Sequence, residues 1–191
     1  MMKKLSTIFL AAALAFTGSQ AFGNEATTSN LDLSRQVIKE LGATLKGELV
    51  QAMKAGGPVE AISVCKEQAP GIAKTLGEKH NIHIGRTSLK TRNPQNQPDE
   101  WEAKVLASFE DRKGKGEEAA KLDFSEVVTE NGKEYFRYMK AIPTGPVCLK
   151  CHGATIKPEV TTTLDASYPE DKARGFKVGD LRGAFTVKKQ L

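Results

Sequence analysis

The 191-residue chain has no apolar run long enough to cross a membrane. The apolar run at its N-terminus, Ile8–Phe16, covers only nine residues, whereas a spanning helix needs about 20. It follows Lys3 and Lys4 and precedes the small-residue segment Ser19–Gly23. This order predicts a cleavable secretory signal peptide at residues 1–23. No cysteine lies at the cleavage point, so a lipid anchor is not supported, and we expect a periplasmic or otherwise exported protein without stable membrane insertion.

The sequence also lacks a concentration of positive charge. Its formal net charge is +5, and removal of the signal peptide with its two lysines lowers it to +3. The basic residues form no run and are not interleaved with aromatic residues, which excludes a nucleic-acid partner from our expectations. The remaining 168 residues, with ordinary hydrophobic and charged fractions of 39% and 27% for the whole chain, suit one globular domain over residues 24–191.

Hydrophobic periodicity predicts helices in the first half of the chain and strands mainly in the second. The predicted helices span residues 31–53, 58–69, 71–79 and 98–112, with Pro58 in the first turn of the second. The predicted strands span residues 83–89, 124–129, 134–142 and 180–188. The Asn131-Gly132 pair predicts a tight hairpin, and the stretch 154–177 is predicted to be irregular. Helices followed by antiparallel strands indicate an α+β fold.

Two thiols and an imidazole lie within five positions of the segment PVCLKCHG. The spacing Cys-x-x-Cys-His is the attachment signature of c-type haem, in which both sulfurs form thioethers and the histidine binds the iron. It predicts one covalent haem c, attached at Cys148 and Cys151, with His152 as an axial ligand. The predicted export supports this interpretation, because covalent haem attachment takes place in the same compartment.

Three other chemistries of this segment fit less well. A thioredoxin-type motif opens a helix after a parallel strand, whereas a Pro-Thr-Gly-Pro loop precedes this one. A zinc site built from both cysteines with His80 and His83 matches no common finger and leaves His152 unexplained. A disulfide between Cys148 and Cys151 would close a very small loop and stabilise little.

No methionine follows the motif, although small electron-carrying cytochromes usually have a ligating methionine far downstream of theirs. The mature chain has only Met53 and Met139, both upstream and most easily explained as core residues. A four-helix cytochrome with a C-terminal motif fits the position better, but the predicted hairpin argues against that fold. Met53 and Met139 nevertheless stay among the possible sixth ligands, together with His80 and His83.

Cys65 is the odd third thiol of the chain. It follows Val59 and Ile62 at intervals of three, which predicts an inward-facing position on the second helix. There it could be a small buried hydrophobic residue, as free cysteines often are, or the sixth iron ligand.

Three long segments carry a resemblance to a known family: GRTSLKTRNPQNQPDEWE, VCLKCHG and YPEDKARGFKVGDLRGAFTV. They resemble exported proteins that carry a single c-type haem on a PAS-like fold, found alone and as the sensing region of membrane-bound histidine kinases. The resemblance runs from about Leu33 to the C-terminus. It implies an antiparallel sheet flanked by N-terminal helices. It also implies Cys65 as the sixth ligand, because a cysteine on the helical part has that role in a characterised member.

These ligands set the expected function. A thiolate donates charge to the iron and stabilises the ferric state, so a His/Cys pair predicts a low reduction potential. We expect a redox or gas sensor in which reduction protonates or releases the thiolate and the change passes to a separate protein partner. A soluble periplasmic electron carrier that keeps both ligands is the alternative. An enzyme acting on a small oxidant ranks third, since two strong ligands leave no open position.

Basic residues within the resembling segments are candidates for the haem propionates, which need charge-assisted partners when partly buried. These residues are Arg86, Lys90, Arg92, Arg174 and Arg182. Such residues are more often solvated surface charges. Arg92, in the loop with Asn-Pro, is the first candidate for a propionate contact.

Overall fold

The computed structural model of the protein describes residues 19–191, with side chains from residue 27 onwards. The predicted signal peptide at residues 1–23 lies mostly outside the described residues, and its last five belong to the first helix. Within the described part of the chain, no helix combines the length and apolar character needed to cross a bilayer.

The N-terminal region is more continuously helical than predicted. Helix α1 spans Ser19–Ala55, α2 spans Gly57–Ser63 and α3 spans Ala69–His80. A five-residue π-helical turn, Val64–Gln68, joins α2 to α3. The predicted break before Pro70 is wrong, because the helical backbone continues from the π-turn into the first turn of α3, which contains Pro70.

A four-stranded antiparallel sheet follows α3, whose C-cap is the left-handed Asn81. Its strands are β1 His83–Thr87, β2 Asp123–Glu130, β3 Lys133–Pro143 and β4 Leu181–Gln190. Their order is β1-β4-β3-β2, so the last strand of the chain lies between the first and the third. The predicted hairpin between β2 and β3 is confirmed, with positive φ angles at Asn131 (51°) and Gly132 (75°), as a type I′ turn requires.

Helices cover both faces of this sheet. On one face, Val37 and Leu41 of α1 pack with Tyr138 and Val187 of the sheet. On the other face lies α4, Glu100–Gly114, whose N-cap Asp99 forms a capping box with Glu102. The apolar residues of α4 pack on Met139, which is fully buried. The α+β fold with an antiparallel sheet flanked by N-terminal helices is thereby confirmed.

Two short helices lie between β3 and β4. Helix α5 is Leu149–His152 and α6 is Pro158–Ser167. Helix α6 falls in the stretch predicted to be irregular, so that prediction is wrong. Three consecutive threonines give this segment a weak helix propensity, but Val160 and Leu164 are buried against Ile62 of α2. Tertiary packing therefore outweighs local preference here.

Candidate functional site

The Cys-x-x-Cys-His segment folds into a 3₁₀ turn, Pro146–Cys148, followed directly by α5. Both cysteines are free and half-buried. Cys148 Sγ accepts a hydrogen bond from the Gly145 N–H at 3.4 Å. Cys151 packs against the cluster of α2 and α6 residues around Ile62, and burial raises the pKa of its thiol. The turn thus presents the two thiols of the motif three residues apart, beside the N-terminal helices.

The orientation of His152 is set by one backbone carbonyl. Its Nδ1 donates a hydrogen bond to the Ala173 oxygen at 2.7 Å, which places the ring proton on Nδ1 and leaves a lone pair on Nε2. Burial, followed by the positive charges of Arg182 and Arg92, lowers the pKa of His152 to about 3. The imidazole is therefore neutral, and its Nε2 carries the lone pair that would bind a metal ion in place of the Arg182 Nε–H, which lies 3.5 Å away.

Arg92 and Asp171 form a buried ion pair behind the motif. The Asp171 side chain is 1% exposed and accepts hydrogen bonds from Arg92 Nε and Nη2, both at 3.1 Å. Burial alone would raise the pKa of Asp171, but hydrogen bonds from Arg92, Arg174 and the Ala173 N–H lower it overall. This pair anchors the segment that carries the Ala173 carbonyl.

Arg92 also supports the motif directly. Its Nη2 donates to the Cys151 carbonyl at 2.6 Å and to the Ala173 carbonyl at 3.3 Å. Arg92 thus lies beside the motif, and its Nε and Nη2 donors are used by Asp171 and the backbone, whereas its Nη1 makes no hydrogen bond within the described residues. Its contact with a propionate stays a prediction.

Cys65 lies in the π-helical turn, where the buried position belongs to its neighbour Val64. Cys65 itself is exposed, so the predicted inward position is wrong. Val59, on the same row as Cys65, is exposed as well, and the inward face is formed by Ala61, Ile62 and Val64 instead. Cys151 of the motif nevertheless packs against Ile62, which lies three residues before Cys65 on the same helical segment. The structure therefore places Cys65 on the side of the molecule that carries the motif.

The other sixth-ligand candidates do not converge on the motif. Met139 is fully buried in the core beneath α4, and Met53 packs against apolar residues of α1 and α2, so both are core residues as predicted. His83 is exposed at the start of β1, and His80 lies 3.9 Å from the Glu40 carboxylate. Over the described residues, no three His, Cys, Asp or Glu side chains are grouped to hold a metal ion, so the zinc alternative gains no support.

Arg182 is one of the five basic residues that the sequence offered as propionate candidates, and it ranked there behind Arg92. Its Nε lies 3.5 Å from His152 Nε2, and its Nη1 donates to Ser88 Oγ at 3.1 Å. Burial and the charges of Arg92 and Arg86 lower its pKa to about 10. One sequence feature could have indicated that Arg182 lies at a crowded position. The next residue, Gly183, is a glycine within a strand pattern, and such a glycine indicates the close approach of another backbone segment. A Cβ atom there would lie 2.3 Å from the Thr87 carbonyl oxygen.

Comparison with known proteins gives one family and one solved structure. The family model described as Tll0287-like matches residues 17–189. The crystal structure of the cyanobacterial heme-protein Tll0287 is similar, with a TM-score of 0.67 and 23% sequence identity. The match covers 85% of this chain and 95% of that chain, and at this identity it shows the fold alone. No curated protein matches the chain.

Proposed function

The chain belongs to the Tll0287-like family, and from that premise we propose that it binds one haem covalently through Cys148 and Cys151, with His152 as an axial iron ligand. The Tll0287 protein is itself described as a heme-protein. The observation that carries the proposal is the hydrogen bond from His152 Nδ1 to the Ala173 carbonyl. It fixes the tautomer and directs the Nε2 lone pair away from the backbone, as an iron ligand requires.

Cys65 is the proposed sixth ligand. Haem supplies a one-electron couple, and a thiolate ligand would keep its reduction potential low. The Cys65 thiol is exposed, and Cys151 packs against Ile62, three residues before Cys65, which supports a sulfur that is available on the side of the motif. Its place in a π-turn is a second support, because such irregularities are frequent at functional sites.

The function that we propose is an exported redox or gas sensor that signals to a separate protein. The sensor role is favoured over the alternative, a periplasmic electron carrier, by the position of Cys65 in the joint between α2 and α3. Val64, the preceding residue, packs with Ala52 and Ala61 of α1 and α2. If Cys65 exchanges between thiolate and thiol, the charge therefore changes at a turn that packs against the N-terminal helices. A carrier has no need of a ligand on such a joint.

Covalent attachment is tested by expressing the chain with a haem c maturation system. The wild type and Cys65→Ala are both expected to keep haem after denaturation, seen by haem staining of a denaturing gel and by mass. The double variant Cys148→Ala/Cys151→Ala is expected to lose all covalent haem, because both thioether sulfurs are gone. Wild-type haem that dissociates on denaturation would contradict the proposal.

Carbon monoxide distinguishes the sensor from the carrier. We expect the reduced wild type to bind carbon monoxide, with a shifted Soret band, because a sensor ligand must be able to leave. The matched control is Cys65→Ala, which is expected to bind it in either case, because the sixth position no longer carries a thiolate. A wild type that stays unchanged while the control binds would favour the electron carrier.

A further inference from the structure

Two arginines near the motif have no carboxylate partner. Five of the seven arginines of the chain lie within 4 Å of an Asp or Glu carboxylate. The two exceptions in the described structure are Arg86 and Arg182. Arg182 instead contacts neutral groups: Ser88 Oγ, the Lys90 carbonyl at 3.3 Å, and the face of Phe176, whose ring centroid lies 5.3 Å from its Cζ.

The charge of Arg182 is unfavourable where it stands. A half-buried cation without a counter-charge loses hydration and gains no ion pair in return. Arg86 and Arg92 are close enough to repel it, and Arg92 is already neutralised by Asp171. A neutral residue could contact the same neutral groups at a lower desolvation cost. A cation at this position therefore indicates that an anion from outside the chain binds there.

Under the proposed function, iron binding would displace one of the hydrogen bonds that Arg182 makes in this structure. Its Nε donates to His152 Nε2, and an iron–histidine bond uses the same lone pair. The two interactions exclude each other. When His152 binds iron, the guanidinium needs a new acceptor, and it lies on the side of the imidazole where the haem would be.

We infer that Arg182, with Arg86 beside it, binds the propionate carboxylates of the haem. The inference rests on the proposed function, since it requires a haem on His152. A guanidinium presents its donors in a planar fork that matches a carboxylate, and haem has two propionates for the two unpaired arginines. Arg92 is less suited to this role, because its charge is paired with Asp171 and its Nε and Nη2 donors already bind Asp171 and two backbone carbonyls.

The test compares Arg182→Gln and Arg182→Lys with Lys172→Gln, each in the haem-loaded protein. Lys172 is exposed, so its replacement removes one positive charge from the surface of the nearby loop. Arg182→Gln is expected to shift the propionate bending bands of the resonance Raman spectrum. It should also lower the reduction potential, because a nearby positive charge disfavours ferric iron. Arg182→Lys should keep a potential closer to the wild type, and Lys172→Gln should change neither readout.

Covalent haem content is measured in the same samples and separates the two proposals. If Arg182→Gln carries covalent haem and has the Raman bands and the reduction potential of the wild type, the propionate assignment is overturned and the proposed function stays intact. A wild type without covalent haem overturns both. Should Arg182→Gln fail to accumulate, Arg86→Gln provides the same test, with the same expected band shift, and unchanged bands there overturn the assignment.

Discussion

Replacing Cys65 with alanine is expected to abolish a low-spin thiolate signal in the electron paramagnetic resonance spectrum of the oxidised protein. It is also expected to raise the reduction potential by roughly 0.1 V or more, a fraction of the ~0.8 V over which axial ligands tune haem. The reason is the loss of a charged donor that stabilises ferric iron. Cys65 is exposed, so its truncation should cost little stability, and the spectral change can be assigned to ligation.

The matched control for this result is Met53→Leu. Met53 packs on the same part of α1 and α2 that holds the π-turn, and leucine keeps nearly its volume. This variant is expected to leave both the signal and the potential unchanged. A signal of high-spin or histidine/methionine type that is identical in the wild type and in Cys65→Ala would remove Cys65 from the iron. An ordinary carrier or an open-site enzyme would then be the better account.

Arg92→Gln is expected to lower the free energy of unfolding by about 3 kcal/mol, the lower end of the ~3–5 kcal/mol that breaking a buried ion pair costs. The Asp171 carboxylate would stay buried with only Arg174 as a charged partner. The Cys151 and Ala173 carbonyls would lose a shared donor as well. Urea unfolding measures the change, and Arg112→Gln is the control, because its exposed pair with Glu117 is worth at most about 1 kcal/mol.

The difference in unfolding free energy between the wild type and Arg92→Gln should depend on pH, with a sign that follows from Asp171. Because the folded-state pKa of Asp171 is lowered, the carboxylate stabilises the fold above its unfolded pKa of about 3.9. That stabilisation is lost as the pH falls through the folded-state pKa. The gap between the wild type and Arg92→Gln should therefore be full at neutral pH and shrink in acid. A gap that is no larger than that of Arg112→Gln at neutral pH would show that the pair contributes little.

Local patterns carried much of the fold prediction. The Cys-x-x-Cys-His spacing and the Asn131-Gly132 turn are signals complete within a few residues, so the sequence alone identified them. The π-turn is different, because one extra residue in a helix leaves no compositional trace. The surface position of Cys65 was missed because the inward face runs through Ala61, Ile62 and Val64 and not through every third residue from Val59. Helix α6 was predicted to be irregular for a related reason, since only its packing on α2 makes this threonine-rich segment helical.

The roles of the arginines depend on partners that are distant in sequence. Asp171 lies 79 residues after Arg92 and His152 lies 30 residues before Arg182. All the arginines of the resembling segments look alike in sequence, and only the folded contacts separate those that are neutralised from those that are not. Arg92 was therefore a reasonable first candidate for a propionate contact, but its ion pair with Asp171 could be found only in the structure.

The strand order has a consequence for the sequence of events during biogenesis. Strand β1 pairs only with β4 in the described sheet, and β4 is the last element of the chain. These two strands lie almost a hundred residues apart, so β1 cannot pair until β4 has been synthesised, and such non-local pairings form slowly. The Cys-x-x-Cys-His motif is synthesised before β4, so under the proposed function it would be accessible to a maturation enzyme while the sheet is still open. We expect haem attachment to precede sheet closure, with β4 joining the fold around a haem that is already in place.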